Sequence, residues 1–110
     1  MAYPPIKAIH VVYAAWCPHC VPTTVDPMKK AAARLGIPCV LYDIDTEREA
    51  EADELVRRYG DWSEDYIIPQ VFLEYPDGTI KHVLTGRTEG VAFTRRAVEA
   101  LLRELAPQAA

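Results

Sequence analysis

A mixed four-stranded sheet flanked by three helices, in the order strand, helix, strand, helix, strand, strand, helix, is the α/β fold class this sequence predicts. Three observations carry that reading. Short β-branched apolar runs alternate with stretches of helical periodicity through the first half of the chain, as in a parallel βαβ unit. A Pro76-Asp77-Gly78 turn then separates two further apolar runs, which makes an antiparallel hairpin. A last stretch of helical periodicity closes the chain. The sequence has 110 residues, about the size of one domain, and 1–110 is read as a single unit without repeats, low-complexity tracts or linkers.

The first strand is read over 6–13 (IKAIHVVY), nearly continuously apolar toward its end as a buried central strand would be. His10 falls inside it and, with no catalytic partner in the neighbouring sequence, is taken as packed or locally hydrogen-bonded. A helix is expected over 17–35, in two pieces or kinked. Pro22 in its second turn removes one hydrogen bond and clashes with a preceding carbonyl. Asp26-Pro27 has the form of a fresh start, a capping acid followed by proline at the first helical position. Met28, Ala31, Ala32 and Leu35 then recur at helical spacing before Gly36 stops the run.

The second strand, 38–44 (PCVLYDI), is read as buried and holds Cys39 as a small core hydrophobe. Thr46-Glu47-Arg48-Glu49 reads as a capping box for a helix through residue 59, with Ala52, Leu55, Val56 and Tyr59 as its apolar stripe. Gly60 ends that helix, and its Glu and Arg residues are assigned to a solvated face. A polar loop over 61–66 carries Trp62 and Tyr66, and Ile67-Ile68-Pro69 closes it. The third strand is read over 70–75 and the fourth over 79–84. After Gly86, Thr88 is placed to cap the last helix. Val91, Thr94, Val98, Leu101, Leu102 and Leu105 share one face of it, and Pro107 ends it.

Composition excludes several classes of function. The net charge is −4, with acids and bases interspersed. No basic stripe exists to hold a nucleic-acid backbone, and nothing resembles a polybasic membrane patch. No apolar run approaches the ~20 residues that span a bilayer. Residues 1–7 lack a charged segment followed by a long apolar one, so no signal peptide is expected. Three cysteines, an adjacent pair and one spare, are too few for a disulfide scaffold and fit a reducing cytoplasm. A monomer without nucleic-acid or membrane partners is expected.

The chemistry concentrates at Trp16-Cys17-Pro18-His19-Cys20, straight after the first strand. On a helix, this spacing puts both sulfurs on one face, and the expected Cα separation of ~5.5 Å suits an unstrained disulfide. Cys17 is placed at the helix cap and Pro18 at the first helical position. A cap sulfur meets free backbone N–H groups and the positive end of the helix dipole, both of which favour thiolate. The stretch therefore reads as a reactive dithiol, Cys17 attacking and Cys20 resolving. His19 lies between the cysteines, where its ring can donate to the Cys17 thiolate; with Pro18 it is read as tuning the couple toward oxidation.

Motif and element order together resemble the thioredoxin superfamily over nearly the whole chain. The features that carry the likeness are the WCPHC stretch, Ile68-Pro69 before the third strand, the Pro-Asp-Gly hairpin and Gly86 before the last helix. The WCPHC wording is similar to oxidising bacterial members, the compact architecture to glutaredoxins, and the YDID stretch to thioredoxins. The resemblance implies a thiol–disulfide oxidoreductase that needs no cofactor beyond its own Cys17–Cys20 disulfide. It implies disulfide-containing protein substrates, with a reductase or glutathione as electron donor. It further implies that Pro69 is cis beside the dithiol and that the Ile68 backbone pairs with an extended substrate segment.

Two departures stand out. Thioredoxins bury an acid in the first strand that assists the resolving thiol, and here that position is Val11. Glutaredoxins place a basic residue near the first cysteine and Thr-Val-Pro at the glutathione site, where this chain has Trp16 and Ile67-Ile68-Pro69. Trp16, Ile68, Pro69, Trp62 and Tyr66 are the expected substrate-binding residues. Asp61, Glu64 and Asp65 in the loop favour basic partners over anionic glutathione. The competing reading, a metal-binding or metal-transfer module using the same two thiolates, lacks half a tetrahedral ligand set.

Overall fold

The computed structural model describes residues 5–106, so the lead-in before Pro5 and the expected stop at Pro107 lie outside the described residues. The chain forms strand β1 (Ala8–Tyr13), a π-helical turn (Val21–Val25) running directly into helix α1 (Asp26–Leu35), and strand β2 (Cys39–Asp43). Helix α2 (Glu49–Tyr59), strands β3 (Gln70–Glu74) and β4 (Ile80–Thr85), and helix α3 (Val91–Leu105) follow. The sheet order is β2-β1-β3-β4, with β1 and β2 parallel and the other two pairings antiparallel. This is the expected mixed sheet of a thioredoxin-like α/β fold.

The two faces of β1 and β3 are both covered. Ile9, Val11, Val71 and Leu73 face one apolar cluster with Val25, Met28, Ala31 and Ala32 of the first helical stretch and Val98, Leu101 and Leu105 of α3. Val12 and Phe72 face the other, with Ala52, Leu55 and Val56 of α2. Burial on both faces explains why β1 and β3 read as unbroken apolar runs rather than alternating ones. β2 differs: it is an edge strand, and Cys39 is only half-buried, against the expectation of a core position. Apolar content cannot order strands, because an edge strand roofed on one face can be as apolar as a central one.

Helix starts are where local rules were overridden. The expected capping box does not form at Thr46; α2 begins at Glu49 with Arg48 as its cap residue. The Thr46 hydroxyl donates to the Asp43 carbonyl and accepts the Arg48 N–H, so it is spent on the turn out of β2. Thr88 likewise does not cap α3, whose cap residue is Gly90 at φ 151°. Asp26 makes no cap either, since Val25 and Asp26 are both helical and the chain passes from π to α geometry without leaving the helix. Tyr59, expected in the apolar stripe of α2, is exposed in its last turn. At the hairpin, Gly78 takes φ 89° and the Asp77 carboxylate accepts the Thr79 N–H, which holds that carboxyl below its usual range.

His10 is buried in a network across three strands. It is hydrogen-bonded through Nδ1 to the Tyr42 hydroxyl at 2.7 Å and through Nε2 to Glu74 at 2.8 Å. A carboxylate only accepts, so Nε2–H donates to Glu74, and in the neutral ring Nδ1 takes the Tyr42 proton. The expected bonded strand histidine is therefore present, with partners that are distant in sequence.

Candidate functional site

The dithiol sits where β1 leaves the sheet. After Ala14 the chain makes two consecutive tight turns, with Cys17 N–H donating to the Ala14 carbonyl at 3.2 Å and Cys20 N–H to the Cys17 carbonyl at 3.0 Å. Cys17 is therefore not a helix cap: the helical segment begins at Val21, and Cys20 is the residue that precedes it. The cause lies in the prolines. Pro22 has no N–H to return to the Pro18 carbonyl, so α-helical bonding cannot start at Pro18. The Thr23 hydroxyl takes the Pro18 carbonyl at 3.0 Å and the Thr24 hydroxyl takes that of His19 at 2.8 Å. The Val25 N–H reaches back five residues to Cys20 at 2.8 Å, which is the π register.

Both cysteines are free thiols, hydrogen-bonded to each other, at the same corner as Ala14, Tyr13, Ile44 and Ile68. Cys17 is 7% exposed and Cys20 fully buried. Burial pushes the Cys20 thiol far above its ordinary range, its hydrogen bond to Cys17 adds to this, the Ala14 backbone opposes it, and the Asp43 carboxylate at the end of β2 pushes it up slightly more. Cys20 thus keeps its proton and offers it to the Cys17 sulfur. Val11 is fully buried and apolar, so the acid acting on Cys20 comes from the neighbouring strand.

The Ile68–Pro69 peptide bond is cis, and Ile68 packs against the dithiol cluster. Gly86 closes over this corner, its N–H donating to the Pro69 carbonyl at 2.8 Å. A Cβ on Gly86 would lie 2.6 Å from the Ile68 oxygen and 2.8 Å from Pro69 Cδ, so only glycine allows β4 to leave the sheet this close to the bend. Trp16 is 69% exposed beside the dithiol, with its indole N–H donating to Asp45 at 2.6 Å.

The two loop aromatics touch, with ring centres 5.6 Å apart, but line different hollows. Tyr66 donates its hydroxyl to Asp53 of α2 at 2.7 Å, and it joins Trp16 and Ile68 in lining a groove of about 290 Å³. Glu49, Asp53, Glu64 and Asp65 also line that groove, with no basic residue among its walls. Trp62 lies instead under the Arg57 guanidinium, 4.4 Å from the ring centre, and lines a different hollow with Ile67 and Thr85. A larger cavity of about 720 Å³ lies against α1 and α3 and is lined by no cysteine.

His19 is engaged through Nδ1 with Thr94 of α3 at 2.8 Å, whereas the sequence pointed its ring at Cys17. Sequence reasoning missed Thr94, reading it only as part of an apolar face; a polar residue at a stripe position was the available signal. It also missed Gln70, fully buried, whose side chain accepts the Asp61 N–H and donates to the carbonyls of Asp61 and Ile67, stapling the loop to the start of β3.

Among the described residues, no group of three His, Cys, Asp or Glu side chains is placed to hold a metal ion, and no helix is long and apolar enough to cross a membrane. No protein-family model matches the chain, and no match was found among curated proteins or solved structures. Fold and site define a thioredoxin-like α/β structure carrying a Cys-x-x-Cys dithiol at the mouth of its first crossover.

Proposed function

We propose that this protein is a cytoplasmic thiol–disulfide oxidoreductase of the thioredoxin superfamily, working through Cys17 and Cys20 on disulfide-containing protein substrates. One observation carries the reading. A free thiol that is 7% exposed packs with a second, fully buried free thiol beside a cis-proline bend. Cys17 as thiolate attacks one sulfur of the substrate disulfide, and the other substrate sulfur leaves and takes up a proton. Cys20 then loses its proton and attacks the Cys17 sulfur. The second substrate thiol departs with the electron pair, and Cys17–Cys20 is left as the disulfide. Two external thiols, the pair of a reductase or those of two glutathione molecules, restore Cys17 and Cys20 and leave joined as a disulfide, and the same steps reversed oxidise a substrate.

The Ile68 backbone pairs with an extended segment of the substrate. The acidic groove beside it favours substrates with basic residues near their disulfide and disfavours anionic glutathione.

Paired serine variants test this. Cys17→Ser should abolish disulfide exchange, while Cys20→Ser should accumulate mixed disulfides on Cys17, read by mass spectrometry. Equal trapping by both variants, or none by either, refutes the proposed roles.

A further inference from the structure

The dithiol turn is tied to α3 by one side chain. Thr94 is fully buried, and its Oγ1 lies 2.8 Å from His19 Nδ1 and accepts the Arg87 N–H at 2.8 Å. A hydroxyl has one proton to give and two lone pairs. The Arg87 N–H occupies one lone pair and has no choice of direction, since a backbone amide only donates. Two arrangements remain. Thr94 gives its proton to His19 Nδ1, or Nδ1–H gives its proton to Thr94 and the hydroxyl proton must find another acceptor.

The second arrangement lacks a good acceptor. The carbonyl one turn back, Gly90, already receives the N–H groups of Phe93 at 3.1 Å and Thr94 at 3.3 Å. At a fully buried position no water takes its place, and a buried polar proton without an acceptor costs ~1–3 kcal/mol. The relay therefore runs one way, from Arg87 N–H to Thr94 O–H to His19 Nδ1. That makes Nδ1 the acceptor and puts the ring proton on Nε2.

We infer that Thr94 is a positioning residue for the dithiol turn: it locks His19, between the two cysteines in the chain, in the Nε2–H tautomer and orients the ring, so that Nε2–H is the one ring proton the histidine has to donate. The backbone of His19 is pinned as well, through its carbonyl on the Thr24 hydroxyl. The other end of the relay is the residue after Gly86, which packs on the Ile68–Pro69 bend. Thr94 thus joins the histidine to the loop that backs the substrate-pairing segment. The effect on the couple rests on the oxidoreductase reading above; the tautomer does not.

Long-range proton–nitrogen NMR of the reduced protein reads the tautomer directly. Wild type should show an unprotonated Nδ1 and a protonated Nε2. Thr94→Val should give an exchanging mixture, and Thr94→Ser should restore the wild-type pattern. With the positioned donor lost, Thr94→Val should also shift the dithiol–disulfide equilibrium about tenfold toward the disulfide, ~30 mV lower in potential. In a His19→Ala background the same change should shift it less than about twofold, because a residue acting through the ring has nothing left to act on. A wild-type ring protonated at Nδ1 overturns the inference even if Thr94→Val does not fold. So does an equal shift with and without the histidine, which makes Thr94 a packing residue of α3. Absence of disulfide turnover in the wild type, with the tautomer intact, counts against the proposed function and leaves the Thr94–His19 assignment standing.

Discussion

The buried proton on Cys20 has a consequence for stability that can be measured without any substrate. An unfolded cysteine loses its proton near pH 8.5, whereas folding holds Cys20 protonated well above that. A group whose folded value is raised contributes stability that is complete below its unfolded value and is lost as pH rises beyond it. For one such proton the loss is about 1.4 kcal/mol per pH unit, or about 2 kcal/mol between pH 8.5 and 10. Tyr13, Tyr42, Tyr66 and Tyr75 are also held protonated, but their unfolded values lie near pH 10, so they act above this window. Cys39, pushed up by burial, shares the window. Denaturant unfolding of the reduced protein, followed by circular dichroism at half-unit steps, should show Cys20→Ala losing about 2 kcal/mol less than wild type across that interval. Cys39 contributes to the slope that remains in the variant. The same proton controls chemistry: release of a mixed disulfide from Cys17 should quicken about tenfold per pH unit from 7 to 10 without levelling near 8.5. Parallel unfolding curves for wild type and Cys20→Ala, or a rate that plateaus at 8.5, would refute the argument that burial holds this thiol protonated.

Two glycines and one groove supply the remaining tests. Gly86→Ala forces a methyl against the Ile68 carbonyl and Pro69 and should cost ~1–3 kcal/mol together with disulfide turnover. Gly36→Ala meets open space, pays only for its left-handed φ of 69°, about 1–2 kcal/mol, and should leave thiol chemistry untouched; equal effects on turnover would show that Gly86 has no role at the bend. Reversing Glu64 and Asp65 to lysine should raise KM for a disulfide peptide flanked by Arg and Lys by roughly threefold to tenfold, with kcat unchanged and the difference erased in 1 M salt. No change in KM would move substrate preference away from the groove.

Much of this protein is legible locally. The strand and helix order follows from the period of the apolar residues, 2 or unbroken in strands and 3.6 in helices, because side-chain direction is set by the backbone itself. The dithiol, the Pro-Asp-Gly hairpin and the stop at Gly36 are short-range features carried by residues adjacent in the chain. Pro22 was enough to break the first helix, since a missing N–H is a property of one residue. What the sequence could not decide is which of several possible partners, near or far in the chain, each polar group takes. Thr46 was a good cap on paper, but the Asp43 carbonyl and Arg48 N–H claimed its hydroxyl. The turn at Pro18 needed hydroxyls from Thr23 and Thr24, which moved the helix start from Cys17 to Val21. β2 went to the sheet edge because strand order depends on the crossover, which no periodicity records. His19 found Thr94, 75 positions away, only because α3 packs across the first helical stretch. Residue types and spacing set which groups can react; the packing of α2 and α3 on opposite faces of the sheet decided which of them meet.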